Sequence, residues 1–367
     1  MKYYIIAGEA SGDLHGSNLI KELQKIDSNA TVRCWGGDKM KATGGTLVKH
    51  YKQLAFMGFA EIIKNLPAIL KNFKFCKQDI SGFQPDVIIF IDYPGFNLRM
   101  AKWAKENNYK TVFYISPQVW AWKESRVKNI KRYIDKMIVI LPFEKEFYKK
   151  WNYEVEYVGH PLVNVIEDFK KAHPEIHLSE NTIALLPGSR RQEIETKLPV
   201  MLEATKNFRD YRFFVAKAPS MDDEFYEAFI KDHPNVELVS NETYSLLMRS
   251  VAALVTSGTA TLETALFGVP EIVCYKAGNI SYQIAKRLVK LKFISLVNLI
   301  MNKGVVKELI QNDLTAEKIT SELKNILFDQ EKRKRIEADY FQLKKILSEG
   351  GNASKNAAEI IVGFLNK

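Results

Sequence analysis

VAALVTSGTATLETALFGVPEIVCY, residues 251–275, is the stretch that decides the fold. Val251 to Val255 is an apolar run of the length and composition of a buried strand. Thr256-Ser257-Gly258-Thr259 is a small polar turn, and a helical pattern runs from Ala260 to Phe267 until Gly268 stops it. Pro270 then precedes a second apolar run, Ile272 to Tyr275. Strand, turn, helix and strand in that order form the unit of a parallel sheet. The turn opens a helix, where unpaired N–H groups and the positive end of the dipole collect, a setting that suits a phosphate. Glu263, near the first helical turn, stands where a carboxylate can accept hydrogen bonds from sugar hydroxyls. A capped helix with a dipole-compensating Glu is the plainer alternative, and these residues alone leave both open.

The same arrangement occurs upstream. Thr182 to Leu186 (TIALL) passes through Pro187-Gly188-Ser189-Arg190-Arg191-Gln192-Glu193 into another helix. Arginine forks match phosphate oxygens, so Gly188, Ser189 and Arg190 together with Ser257, Gly258 and Thr259 make two turns that can converge on one diphosphate. Arg212 to Ala216 and Val236 to Val239 supply further strands. Downstream, Phe293 to Ile300 is apolar except for Ser295 and Asn298, and Asn298 is either turn-forming or ligand-facing. Residues 315–367 read as charged helices.

The first half alternates in the same way. Tyr3 to Ala7 runs into Gly8-Glu9-Ala10-Ser11-Gly12-Asp13 and a helix from Leu14 to Lys25, without the dinucleotide fingerprint. His15 reads as a surface or cap residue of that helix. DVIIFI (86–91) is a buried strand that delivers Asp92, a candidate general base beyond the carboxyl end of a strand. A cap on the following helix is the alternative, although Pro94 and Gly95 intervene. Lys110 to Ile115 delivers Trp120 and Trp122, suited to stacking on a sugar, lining an acyl groove or packing. Met137 to Leu141 is a strand, LPFEKEFYKK starts a helix, and Val158-Gly159-His160-Pro161 marks a hinge. Between Phe56 and Gln78, apolar residues at helical spacing alternate with Lys64, Lys71, Lys74 and Lys77, and Pro67 divides the stretch. Core helices are the ordinary reading. The almost wholly cationic polar face is instead that of a helix lying on a membrane surface.

Bulk properties bound the remainder. The chain has 367 residues, 46% of them apolar, enough for two α/β domains. Lys and Arg number 53 against 43 Asp and Glu, a net charge of +10, which favours anionic partners. No nucleic-acid recognition module is visible. Cys34, Cys76 and Cys274 are dispersed, which points to a reducing compartment and argues against a metal cluster. Neither a signal peptide nor a transmembrane run is legible, so the expected location is cytosolic, with attachment to a membrane surface left open.

AGEASGD (7–13), FIDYPGFN (90–97), YISPQVWAW (114–122), LPFEKEFY (141–148), VGHPL (158–162), LLPGSR (185–190), SGTATLE (257–263), AKRLVK (285–290) and SLVNLI (295–300) occur in that order. Together they resemble the lipid-A-disaccharide synthase family of inverting glycosyltransferases, over almost the whole length. The resemblance implies a glycosyltransferase B-type α/β fold with two Rossmann-like domains facing across a cleft. The expected division is an acceptor and membrane-side domain at 1–165, a UDP-sugar domain at 166–345, and a C-terminal helix at 346–367 packing back on the first.

The implied reaction joins UDP-2,3-diacylglucosamine to 2,3-diacylglucosamine 1-phosphate (lipid X), giving a β-1,6-linked tetraacyl disaccharide 1-phosphate and UDP. Asp92 would be the base. Gly188, Ser189, Arg190, Ser257, Gly258, Thr259, Glu263 and Asn298 would bind the UDP-sugar. Glu9, Ser11, Asp13, Trp120 and Trp122 would line the acceptor side. Phe56, Phe59, Lys64, Lys71 and Lys74 would touch the cytoplasmic face of the inner membrane. Some members carry Asp at the position of Gly95, and its absence here leaves Asp92 as the carboxylate. With no Asp-x-Asp in the chain, no metal or cofactor is expected. The resemblance allows a homodimer and calls for no nucleic acid. The competing readings are a B-type UDP-N-acetylglucosamine 2-epimerase or lipid-linked transferase, and a non-catalytic UDP-sugar or lipid-binding protein.

Overall fold

Short apolar runs separated by helical patterns cannot bury both faces of each strand alone, so they assemble into parallel sheets covered by helices. The computed structural model describes residues 1–54, 66–278, 282 and 291–366. The chain forms two units, Met1–Pro161 joined by Leu347–Lys367, and Leu162–Ile346.

In the first unit β1 (Lys2–Ala7), β2 (Thr31–Gly36), β3 (Thr46–His50), β4 (Val87–Ile91), β5 (Lys110–Tyr114), β6 (Lys136–Val139) and β7 (Glu156–Tyr157) make one sheet in the order β3-β2-β1-β4-β5-β6-β7. Every pairing is parallel. Its core includes Tyr4, Trp35, Phe90, Phe113 and Tyr148. The Trp35 indole donates to the Tyr4 hydroxyl at 2.9 Å, and that hydroxyl donates to Asp79 at 2.6 Å, so the buried polar atoms are paired. Asp79 lies on the helix Leu66–Phe83, whose Cys76 and Ile80 are buried. The C-terminal helix Ala353–Leu365 packs on the helix Ala10–Ile26.

In the second unit β8 (Thr182–Leu186), β9 (Arg212–Lys217), β10 (Val236–Ser240), β11 (Ala252–Thr256), β12 (Glu271–Tyr275) and β13 (Lys307–Ile310) are ordered β10-β9-β8-β11-β12-β13, again all parallel. Both sheets therefore reverse direction once, at β1/β4 and at β8/β11. At such a reversal the flanking connections leave to opposite faces and a crevice opens beyond the carboxyl ends of the strands. Sequence reading misses β7 and β13. Both are edge strands of two and four residues that carry charge at Glu156, Lys307 and Glu308, so no apolar run announces them.

Candidate active site

The first reversal is acidic. Register pairs Ala7 with Ile91, so the turns that begin at Gly8 and Asp92 leave the sheet side by side. Asp92 (φ 45°) and Tyr93 (φ 49°) are both left-handed, a conformation costing about 1–3 kcal/mol each for such residues. The surroundings enforce it. Fully buried Asn97 donates through Nδ2 to the carbonyls of Asp92 at 2.7 Å, Ile6 at 3.2 Å and Ile91 at 3.3 Å. The Tyr93 ring lies over Gly8, where an added Cβ would sit 2.3 Å from it. Only glycine admits that ring.

Held in this way, the half-buried Asp92 carboxyl is pushed up to about 7, first by burial and second by the charge of Glu9, against the backbone N–H of Tyr93. That is the setting of a general base working near neutrality. Glu9 and Ser11 are exposed beside it.

Two residues of this segment differ from expectation. Asp13 is not at the mouth. It is buried and accepts from the backbone N–H groups of Gly37 at 2.7 Å, Met40 at 3.0 Å and Lys39 at 3.1 Å. Its carboxylate caps the short helix Asp38–Ala42 and is consumed by that duty. His15 is not a surface residue either. It is buried, and desolvation lowers it to about 4.

One strand further along, Trp120 and Trp122 lie in the four-residue helix Val119–Trp122. The Trp120 indole donates to Glu144 at 3.3 Å and its ring meets Phe143 edge-on. Trp122 is exposed, with Lys123 and Arg126 over its ring at 4.8 and 5.2 Å. Sequence reading assigned no role to Glu144. It is 1% exposed, accepts from Leu141 N–H at 3.0 Å and is pushed up to about 7 by burial. The signal was available: an acidic residue three positions after Leu141 and just inside a helix that opens with Pro142 is half of a capping box.

The second reversal carries arginine at its mouth and glycine in both turns. Val255 pairs with Leu186, and the Thr256 hydroxyl donates to the Pro187 carbonyl at 2.9 Å, so the turns 187–190 and 257–258 are tied together. They open the helices Arg191–Thr205 and Thr259–Phe267. Gly188 (φ +126°) and Gly258 (φ +151°) supply backbone that side-chain-bearing residues rarely adopt. Ser189, Arg190, Gly258 and Thr259 are exposed, and the Ser257 hydroxyl donates to the Ile294 carbonyl at 3.0 Å. Two adjacent helix N-termini with an arginine at their mouth can hold a dianion. Glu263, in the same helix as Thr259, accepts from the Tyr244 hydroxyl at 2.8 Å and is raised by burial.

Asn298 is buried among its own backbone partners. It is 1% exposed. Its Nδ2 donates to Val306 O and Glu308, both at 2.9 Å, while Oδ1 accepts from Val305 and Val306 N–H at 2.8 and 3.0 Å. These bonds tie the helix Leu296–Met301 to the segment that leads into β13, so the turn-forming reading accounts for the contacts Asn298 makes in this structure.

Of the membrane stretch, Phe56, Phe59 and Lys64 lie outside the described residues. Lys71 and Lys74 are exposed on the helix Leu66–Phe83, beside Leu70 and Phe75, which are 58% and 41% exposed. Among the described residues no helix is long and apolar enough to cross a membrane.

A family model described as lipid-A-disaccharide synthetase matches residues 3–362. A lipid-A-disaccharide synthase from Syntrophus aciditrophicus is 38% identical over 99% of this chain and 97% of its own. One from Geobacter metallireducens is 36% identical over 99% of this chain and 97% of its own. Among solved structures, the glycosyltransferase of kitacinnamycin superposes with a TM-score of 0.68 at 13% identity, covering 99% of both chains, a likeness of fold. The two Rossmann-like units are thus those of the glycosyltransferase B-type fold.

Proposed function

Because this chain belongs to the lipid-A-disaccharide synthase family and is a glycosyltransferase, we propose that its donor is UDP-2,3-diacylglucosamine and its acceptor 2,3-diacylglucosamine 1-phosphate. The transfer is a single displacement at the anomeric carbon. The acceptor 6-hydroxyl loses its proton to Asp92 as its oxygen bonds to that carbon. The bond from the carbon to the diphosphate breaks, and UDP departs with the electron pair. Charge grows on the leaving oxygen, so preorganised donors there lower the barrier. The turn 188–190, the turn 257–259 and their two helix N-termini fill that part, and Glu263 takes the ribose hydroxyls. Glu9, Ser11 and the Trp120 loop border the acceptor's place.

The observation that carries this reading is the tethered, cation-mouthed double turn at the sheet reversal of the second unit, and the raised Asp92 carboxyl of the first unit, taken by itself, supports it. An assay of UDP release from the two diacylated sugars, with the product weighed by mass spectrometry, tests it. Absence of both UDP and the tetraacyl disaccharide from wild-type reactions ends the proposal.

Both substrates are acylated and one is an anionic lipid. The exposed Leu70, Lys71, Lys74 and Phe75 of the first unit form a cationic, apolar face that suits an anionic leaflet. We place the enzyme on the cytoplasmic surface of the inner membrane by that face. Replacing Lys71 and Lys74 with Glu should reduce co-sedimentation with anionic liposomes, and undiminished co-sedimentation would discard the docking surface.

A further inference from the structure

Lys197 has no part in the mechanism above, yet its surroundings point at the diphosphate. It lies on the helix Arg191–Thr205 four residues after Glu193, and by spacing alone the two would form a solvent-facing ion pair. Instead Lys197 is 2% exposed. Among the described residues its ammonium makes no hydrogen bond and no ion pair. The Nζ is not among the fully enclosed polar atoms that lack a partner, so the side chain is buried while its ammonium keeps some access to solvent, and burial lowers it from its ordinary value.

Side chains on a helix lean toward its N-terminus, so Lys197 runs back toward the turn at 187–190. Its surroundings agree: burial acts on it first, then the Glu193 carboxylate, the nearby Cys274 sulfur and the Arg190 guanidinium. Cys274 pairs in register with Thr256, whose hydroxyl holds the Pro187 carbonyl. The ammonium is therefore within electrostatic reach of Arg190 and Glu193, at the turn that opens its own helix.

Glu193 reaches back onto the turn at Gly188. An added Cβ on Gly188 would lie 2.6 Å from its Oε2, and its Oε1 is 3.8 Å from Arg190 Nη1. A carboxylate set on a glycine turn, beside one arginine and within electrostatic reach of Lys197, has the charge and position that a phosphate would take.

We propose that Lys197 is a further cation of the diphosphate site, and that Glu193 stands in for a phosphate there until a nucleoside diphosphate displaces it. This rests on the donor-binding reading of the second unit. Arrival of the nucleotide moves the Glu193 carboxylate off Gly188 and gives Lys197 the anionic partner it lacks. No covalent step is involved.

Calorimetric titration of the full chain with UDP and, separately, uridine tests it. Lys197→Met should weaken UDP binding on the order of ten- to a hundredfold, the usual worth of a charged hydrogen bond, and leave uridine binding unchanged. Glu193→Gln should tighten UDP binding and leave uridine unchanged. Wild-type UDP affinity in Lys197→Met overturns the role of the lysine, and weaker UDP binding in Glu193→Gln overturns the stand-in. A wild-type protein that binds neither ligand removes the donor site itself, a different failure. Equal loss of UDP and uridine in Lys197→Met marks a structural role and overturns the proposal. Should Lys197→Met not fold, Lys197→Gln carries the same comparison.

Discussion

The two sheet reversals share a topology and differ in almost everything else. At β1/β4 the left-handed residues are Asp92 and Tyr93, which pay a steric penalty and must be clamped by Asn97 and by a ring stacked over Gly8. At β8/β11 they are Gly188 and Gly258, which need no clamp. The first turn gathers carboxylates, Glu9 and Asp92, and the second an arginine, two helix N-termini and the carboxylate of Glu193. Strand order decides where a ligand can be met. Residue type then decides what is met there: raising a carboxyl requires burial and a fixed direction, whereas holding a phosphate requires bare backbone.

Substitutions at the two places should therefore fail in different ways. Asp92→Asn keeps the shape and removes the base, so turnover should fall about 10²- to 10⁴-fold while UDP affinity stays the same. A comparable loss of UDP binding would blur the division. Arg190→Ala should do the reverse, weakening UDP about 10- to 100-fold in a titration. Gly8→Ala drives a methyl into the Tyr93 ring and should cost about 1–3 kcal/mol of stability. Gly95→Ala, where an added Cβ meets nothing within 4 Å, is the control and should melt like wild type. Equal melting of the two variants would mean that the stacked ring does not hold the acidic turn.

How much of this could be read beforehand follows from the same contrast. The long central strands are continuous apolar runs because both faces are buried, and the turns after β4, β8 and β11 were legible from glycine, serine and arginine following such runs. Asp92 was legible as a carboxylate directly after five apolar residues, Val87 to Ile91. Asp13 and Asn298 share one ambiguity: a polar residue near a turn looks the same in sequence whether it meets a ligand or holds backbone. Only three-dimensional placement shows that Gly37, Lys39 and Met40 consume the first, and Val305, Val306 and Glu308 the second. Lys197 was invisible because an i to i+4 Glu–Lys spacing is the signature of an exposed pair. Asn97, Tyr93 and Tyr244 act through contacts distant in sequence, which no local pattern records.

The finest test of the acidic turn is Glu9→Gln. In an unfolded chain an Asp ionises near ~3.9, while burial and the charge of Glu9 hold Asp92 at about 7 in the fold. The folded protein thus keeps this proton more tightly. Stability from protonated Asp92 is fully present below ~3.9 and is lost as pH rises to about 7. Activity runs the other way, since the base must be ionised, and kcat/KM should climb with pH through a limb near 7. Neutralising Glu9 removes the second of the two causes and leaves the first, so the limb should move to lower pH without reaching the unfolded value. Because Glu9 is exposed, its influence passes partly through solvent, and added salt should shrink the gap between wild type and Glu9→Gln. A limb that stays in place in Glu9→Gln at low salt would leave burial as the sole cause. The acidic turn would then differ from its basic counterpart in depth rather than in charge.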